Sequence, residues 1–152
     1  PMIGFGQTAK DYFDKAYNNE SDYQYQIDNY TKCLRTDPDY NTAIVYNNRG
    51  LSYHNLELYE DAIADFTRAI RADPNYANGY YNRGRTYIYL KNYEKAIADN
   101  TRTIRIDSDY TSAYRNRGIA KENIGFSFCS DYKRACDLGD EDCCEWYNEQ
   151  CK

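Results

Sequence analysis

Residues 43–76 read AIVYNNRGLSYHNLELYEDAIADFTRAIRADPNY, and residues 77–110 read ANGYYNRGRTYIYLKNYEKAIADNTRTIRIDSDY. Laid over each other without a gap, the two stretches agree at 19 of 34 positions. The tripeptide Asn-Arg-Gly stands at Asn48-Arg49-Gly50, Asn82-Arg83-Gly84 and Asn116-Arg117-Gly118, so the same spacing occurs twice. Self-similarity at such a period marks an array whose units bury their apolar faces against one another.

Each unit reads as two helices. Tyr46, Gly50 and Tyr53 fall at i, i+4 and i+7, one face of a first helix. Ala62, Phe66, Ala69 and Ile70 form the same stripe on a second helix. That helix ends at Asp73-Pro74, because the residue before a proline is pushed out of the helical region. Gly50, Ala62 and Ala69 let the helices approach closely, and Tyr46, Tyr53 and Phe66 fill the space between them.

The pattern extends both ways and weakens. Upstream, Tyr17, Tyr23, Tyr30, Cys33 and Asp37-Pro38 mirror Tyr53, Tyr59, Phe66, Ala69 and Asp73-Pro74 at an offset of 36. Downstream, Tyr114 and Gly118 keep register, but Asp131-Tyr132 matches Asp65-Phe66 at 66, which implies two residues lost between the helices. After Leu138-Gly139-Asp140 the tail reads as a capping helix, which a stack needs because its last apolar face has no neighbour.

Composition agrees. The chain of 152 residues holds 19 Tyr, 13 Ala and one Val, and Ile, Leu, Val and Phe together number only 23. So few branched apolar residues would by themselves suggest disorder, but tyrosine and alanine supply large and small core residues, and a single valine argues against a β-rich fold. The net charge of −5 argues against nucleic acid or an anionic membrane as partner. No apolar run reaches the ~18 residues of a membrane span.

These residues resemble the tetratricopeptide repeat family, in particular its short bacterial members. Tyr46, Gly50, Tyr53, Ala62, Phe66, Ala69 and Pro74 match the family's pattern in full. The resemblance implies an all-α fold, a right-handed α-solenoid of antiparallel helix pairs with about nine helices. Its repeats would be 7–40 (degenerate), 43–76, 77–110 and 111–138 (shortened), followed by a capping helix at 140–151. Asn100, Thr103, Ser108 and Lys121 depart from the pattern, and looser packing or local polar partners are expected there. Arg49, Arg83 and Arg117 match Asp65, Asp99 and Asp131 as a repeated inter-helix charge pair; exposed pairs of that kind contribute ~0–1 kcal/mol.

The resemblance also implies a binding mode, in which the first helices line a groove that holds a peptide. The groove positions are Asn47, Leu51, His54 and Asn55, then Tyr81, Asn82, Arg85, Ile88 and Tyr89. Arg115, Asn116, Ile119, Glu122 and Asn123 follow, and the degenerate first unit offers Asp11, Lys15 and Asn18. Arginines beside tyrosines and asparagines suit a protein or peptide partner with acidic and apolar groups. One subset of the family clamps the terminal carboxylate of chaperone tails. Those positions here read Asn47 and Leu51, then Asn82, then Ser112 and Asn116, and only Asn82 fits, so that mode is excluded.

Five of six cysteines lie between residues 129 and 151. Cys129 and Cys136 share one helix face, as do Cys144 and Cys151 on the cap. In an antiparallel hairpin, paired positions have a constant index sum, which pairs Cys129 with Cys151 and Cys136 with Cys144. A two-rung disulfide ladder, free thiols, and metal or redox chemistry all remain open. The rungs would stand ~10 Å apart, too far for four sulfurs to share one zinc. Cys33 is expected to be a buried thiol, and Cys143 is unassigned. A ladder points to a periplasmic or secreted protein, whereas Met2 as a true initiator would point to the cytoplasm. No signal-peptide pattern opens the chain.

His54 is the only histidine and has no cysteine near it in the repeat geometry, and no phosphate loop is present, so no enzyme, metal site or cofactor is implied. The expected function is a protein-interaction module with a scaffold or assembly role. The alternative is a structural array that self-associates as a homo-oligomer through Phe5, Tyr12 and Phe13.

Overall fold

The computed structural model describes residues 6–152, which form nine α-helices and no strand. The chain divides into two compact units, one ending at Pro74 and one beginning at Asn75. The first holds α1 (Ala9–Tyr17), α2 (Tyr23–Thr36), α3 (Thr42–Asn55) and α4 (Tyr59–Ala72). The second holds α5 (Ala77–Tyr89), α6 (Tyr93–Ile106), α7 (Thr111–Asn123), α8 (Cys129–Asp137) and α9 (Glu141–Gln150). Within each unit every helix packs on the next in sequence.

Three first helices stop in the same way. After α3, α5 and α7 the chain turns through a left-handed residue, Glu57 (φ 61°), Lys91 (φ 55°) and Gly125 (φ 75°), again 34 apart. Each stop is a Schellman motif, shown by Leu58 N–H to Tyr53 O at 2.9 Å, Asn92 to Tyr87 at 2.8 Å and Phe126 to Lys121 at 2.8 Å. Only the last uses glycine, which adopts this conformation without a Cβ clash. Glu57→Gly and Lys91→Gly are each expected to stabilise the chain by about 0.5–1 kcal/mol. A rise in thermal midpoint checks this, and an unchanged or lower midpoint would show that the side chains make up for the strain.

The first helix of a repeat meets the second glycine to ring. A Cβ added at Gly50 would lie 2.8 Å from Phe66 Cε1, and one at Gly118 would lie 3.0 Å from Tyr132 Cε1. In the middle repeat Gly84 faces Asn100, which is fully buried and not loosely packed. Asn100 Nδ2 donates to Ala96 O at 2.8 Å, while Oδ1 has no partner. Thr103 is likewise buried and donates to Asp99 O at 3.1 Å.

The charge pairs are deeper than the exposed pairs the sequence suggested. Arg49 grips Asp65 with Nε and Nη2 at 2.6 and 2.9 Å, Arg83 grips Asp99 at 2.8 and 2.9 Å, and Arg117 grips Asp131 at 3.1 and 2.6 Å. The three carboxylate side chains are 0%, 9% and 3% exposed. Each arginine also lies over a tyrosine ring three residues earlier, Tyr46, Tyr80 or Tyr114. A second arginine, Arg68, Arg102 or Arg134, lies over the same ring. Lys121, the departure from the tyrosine pattern, adds an ion pair to Asp131 at 2.8 Å.

In the first unit Ala9, Ala16, Tyr30, Cys33 and Val45 make a core on which Tyr12 and Phe13 pack half-buried. Those two rings, expected to be an exposed self-association surface, are therefore largely spent on the core; Phe5 lies outside the described residues. The shortened repeat loses helix, not loop. Asp65 is the seventh residue of α4 but Asp131 is the third of α8, whereas the intervening loop grows from 56–58 to 124–128. The short α8 and α9 are cross-linked by Cys129–Cys151 and Cys136–Cys144, with Cα separations of 5.7 and 4.6 Å. A disulfide typically contributes about 2–4 kcal/mol. Cys33 and Cys143 are free and buried.

Candidate peptide-binding surfaces

In the first unit the expected positions divide by depth. Leu51 and Asn55 line a cavity of about 320 Å³ together with Tyr17, Tyr23, Tyr30, Gln26, Glu20 and Asn48. Asn47 and His54 are only 4% and 7% exposed, and the His54 ring sits 5.3 Å from that of Tyr59. A helical wheel gives direction but not depth, so it could not separate the two sets. The tyrosines of α1 and α2 were missed as lining residues, although their spacing was noted as a packing pattern. Their ring faces and hydroxyls suit an apolar side chain flanked by polar backbone.

The positions expected on the degenerate first helix serve locally. Asp11 accepts from Thr8 N–H and closes a capping box, Asn18 caps the end of α1, and Lys15 lies over the Tyr12 ring.

In the second unit α5 presents Tyr81, Arg85, Ile88 and Tyr89, while Asn82 is 7% exposed. The Tyr81 ring lies 4.9 Å from that of Tyr110, tilted by 38°, and the Tyr110 hydroxyl donates to Asn78 Oδ1 at 2.8 Å. The Nε of Arg85 is buried and makes no hydrogen bond. On α7 the Nδ2 of Asn116, a residue 9% exposed, is also buried without a partner. Glu122 accepts from the Tyr132 hydroxyl at 3.1 Å, and Asn123 donates to Ile119 O at 2.8 Å.

Arg115 does not stand open. Its Nη2 donates to Asp140 and, at 2.8 Å, to Asp142. The hydrogen bond that Arg115 donates to Asp140 holds the guanidinium above its ordinary value. Burial opposes the charge of Asp140, but Arg115 and the Cys143 backbone outweigh it and keep that carboxyl below the usual range. Arg115 also borders two cavities, of about 570 and about 190 Å³; Ile119, Tyr132, Cys143 and Trp146 line the smaller. Among the described residues no cluster of His, Cys, Asp and Glu could hold a metal ion, and no helix is long and apolar enough to cross a membrane.

Burial raises Tyr30 to about 12, partly offset by its hydrogen bond with Asn48, and burial beside Tyr81 raises Tyr110 to about 12. A raised phenol keeps its proton longer when folded than when unfolded. The stability it contributes is complete below pH 10 and is lost as the pH climbs towards 12. An alkaline titration should therefore show a late fraction of tyrosinate absorbance that arrives with loss of helical circular dichroism. Complete titration of all tyrosines while the helices persist would contradict this.

The Tetratricopeptide repeat model matches residues 43–76 and 77–110, the stretches that form α3–α4 and α5–α6. The chain belongs to the tetratricopeptide repeat family. Human serine/threonine-protein phosphatase 5 is 41% identical over 73 residues, which is 48% of this tetratricopeptide chain and 13% of the phosphatase. The chain thus spans about an eighth of the length of that relative. The crystal structure of MamA has a TM-score of 0.73 at 26% identity, covering 88% of this chain and 75% of that one. The second TPR of Spaghetti (RPAP3), solved with the HSP90 peptide SRMEEVD bound, has a TM-score of 0.62 at 32% identity. That likeness covers 64% of this chain and 92% of the other.

Proposed function

We propose that this tetratricopeptide chain is a protein-interaction module, serving as scaffold or assembly factor, that holds a peptide segment with acidic and apolar groups. The observation that carries the reading is the pair of unmatched donors in the second unit, Arg85 Nε–H and Asn116 Nδ2–H. A buried donor without an acceptor is costly, and both are relieved by a ligand oxygen. Arg85 can offer a carboxylate charge-assisted hydrogen bonds, and Tyr81 and Tyr89 supply the rings for an apolar neighbour. In the first unit, taken by itself, the tyrosine-lined cavity beside Leu51 and Asn55 suits an apolar side chain. The peptide bound to the RPAP3 relative, SRMEEVD, combines the same two chemistries. It does so there without lending this chain the carboxylate clamp, of whose positions only Asn82 is kept.

Selection from a random peptide library should enrich sequences that join Asp or Glu to Leu, Met or aromatic residues. Arg85→Ala should weaken the selected peptide by about 10-fold or more while leaving the thermal midpoint unchanged, because truncating a buried charged partner costs ~2–5 kcal/mol in a complex. Full affinity in the Arg85→Ala chain would remove this reading.

A further inference from the structure

The acidic turn Asp140-Glu141-Asp142 lies against the α7 arginine that the sequence assigned to ligand. Asp140 and Asp142 both accept from Arg115 Nη2, and Asp140 also accepts from the Cys143 N–H at 3.0 Å as the N-cap of α9. Both aspartates sit inside the loop closed by Cys136–Cys144, and Cys129–Cys151 ties down the other end of the helix. Non-covalent hold on α9 is thin. Cys143 is its only fully buried residue, and Trp146, although its ring meets Phe128 and Tyr132, remains 37% exposed. Helices of nine and ten residues do not persist alone in water.

We propose that the acidic turn is an internal pseudoligand for Arg115, locked in place by the two disulfides and released when a dithiol reduces them. The inference rests on the peptide-binding reading above, since the released Arg115 would take the acidic group of a partner in place of Asp140 and Asp142. The redox step balances with a dithiol reductant. A reductant thiolate attacks one sulfur of a bridge, the mixed disulfide resolves to the reductant's own disulfide, and each cysteine pair gains two electrons and two protons. Four protein thiols and two oxidised reductant molecules result. The Cys143 thiol also meets Arg115, but it does not enter the exchange: burial pushes it up to about 11, against the opposing effect of Arg115, and leaves little thiolate to attack its neighbours.

The test uses the full chain, oxidised and after treatment with dithiothreitol, with the redox state fixed by intact mass after alkylation. The first readout is the rate at which phenylglyoxal modifies Arg115, located by peptide mass. Reduction should raise that rate by about fivefold or more. An oxidised Asp140→Asn, Asp142→Asn double variant, which keeps both bridges, should match the reduced rate. Equal rates in oxidised and reduced protein, or no rise in the double variant, would overturn the lock. The second readout is binding of a fluorescein-labelled acidic and apolar peptide taken from the library selection above, which should tighten on reduction by a similar factor, with the gain absent in Arg115→Ala. A chain that binds that peptide equally in both states, although Arg115 is released, overturns the pseudoligand role. A library that yields no binder for either state, although Arg115 is released, leaves the lock standing and counts against the peptide-binding reading.

Discussion

Asp65→Ala is expected to cost about 3–5 kcal/mol of stability, because it strands the buried guanidinium of Arg49 without a counter-ion. In a chain of this size each kcal/mol is worth about 2–4 °C, so the thermal midpoint should fall by about 6–20 °C. Burial works against the charge on Arg49, and the hydrogen bond to Asp65, the charge of that carboxylate and the neighbouring Tyr53 and Tyr46 together outweigh it and keep the group above its ordinary value. Without Asp65, Arg49 retains only its bond to Thr31 Oγ1 at 2.9 Å and its place over Tyr46 and Tyr53. The half-exposed Arg68, which also pairs with Asp65 at 2.7 Å, can turn to solvent and lose little. Replacing both partners, as Arg49→Met with Asp65→Leu, should recover most of the loss, since a buried pair often contributes no more than an apolar isostere. A loss under about 1 kcal/mol for Asp65→Ala would mean that the pair behaves like a surface one.

Phe66→Ala is the second large effect. The ring is fully buried and leans on Gly50, so truncation should cost about 3–5 kcal/mol through lost transfer energy and the cavity left behind. The same contact makes Gly50 informative. In the wild-type chain Gly50→Ala gains up to about 1 kcal/mol of helix propensity. It also pushes a methyl to 2.8 Å from Cε1 of the ring, and overpacking of that kind costs about 1–3 kcal/mol. The net effect is destabilising. In the Phe66→Ala background the methyl finds open space, and Gly50→Ala should stabilise. Chemical denaturation of the four proteins measures the coupling, and strict additivity would show that ring and glycine do not constrain each other.

The fold was legible because two periodicities coincide at 34 residues: tyrosine and glycine on the first helix, and Ala-Ile-Ala-Asp on the second, at 62–65 and again at 96–99. Depth was less legible. Arg49 and Asp65 could be paired on paper, but their burial depends on Tyr46 and Arg68, which close over them from two helices. Asn47, His54, Asn82 and Asn116 occupy the expected face yet are covered, because a helical position fixes an angle and not how near the neighbouring side chains stand. In the last repeat the offset of 66 showed a net loss of two residues, but not that the helix loses its first turn while the loop lengthens. The left-handed stop at Gly125 kept its register, and the change falls beyond it. The capture of Arg115 by Asp140, 25 residues away, had no local signal at all.

Each arginine–aspartate pair is also self-contained: Arg49 with Asp65, Arg83 with Asp99 and Arg117 with Asp131 are each drawn from one repeat. A stretch of this kind carries its own neutralising charge wherever it is inserted. Duplication adds a complete ion pair, and excision removes one without stranding a buried charge elsewhere. A genetic event that copies or deletes one 34-residue cassette therefore meets little electrostatic penalty, and the array can gain or lose length in whole steps.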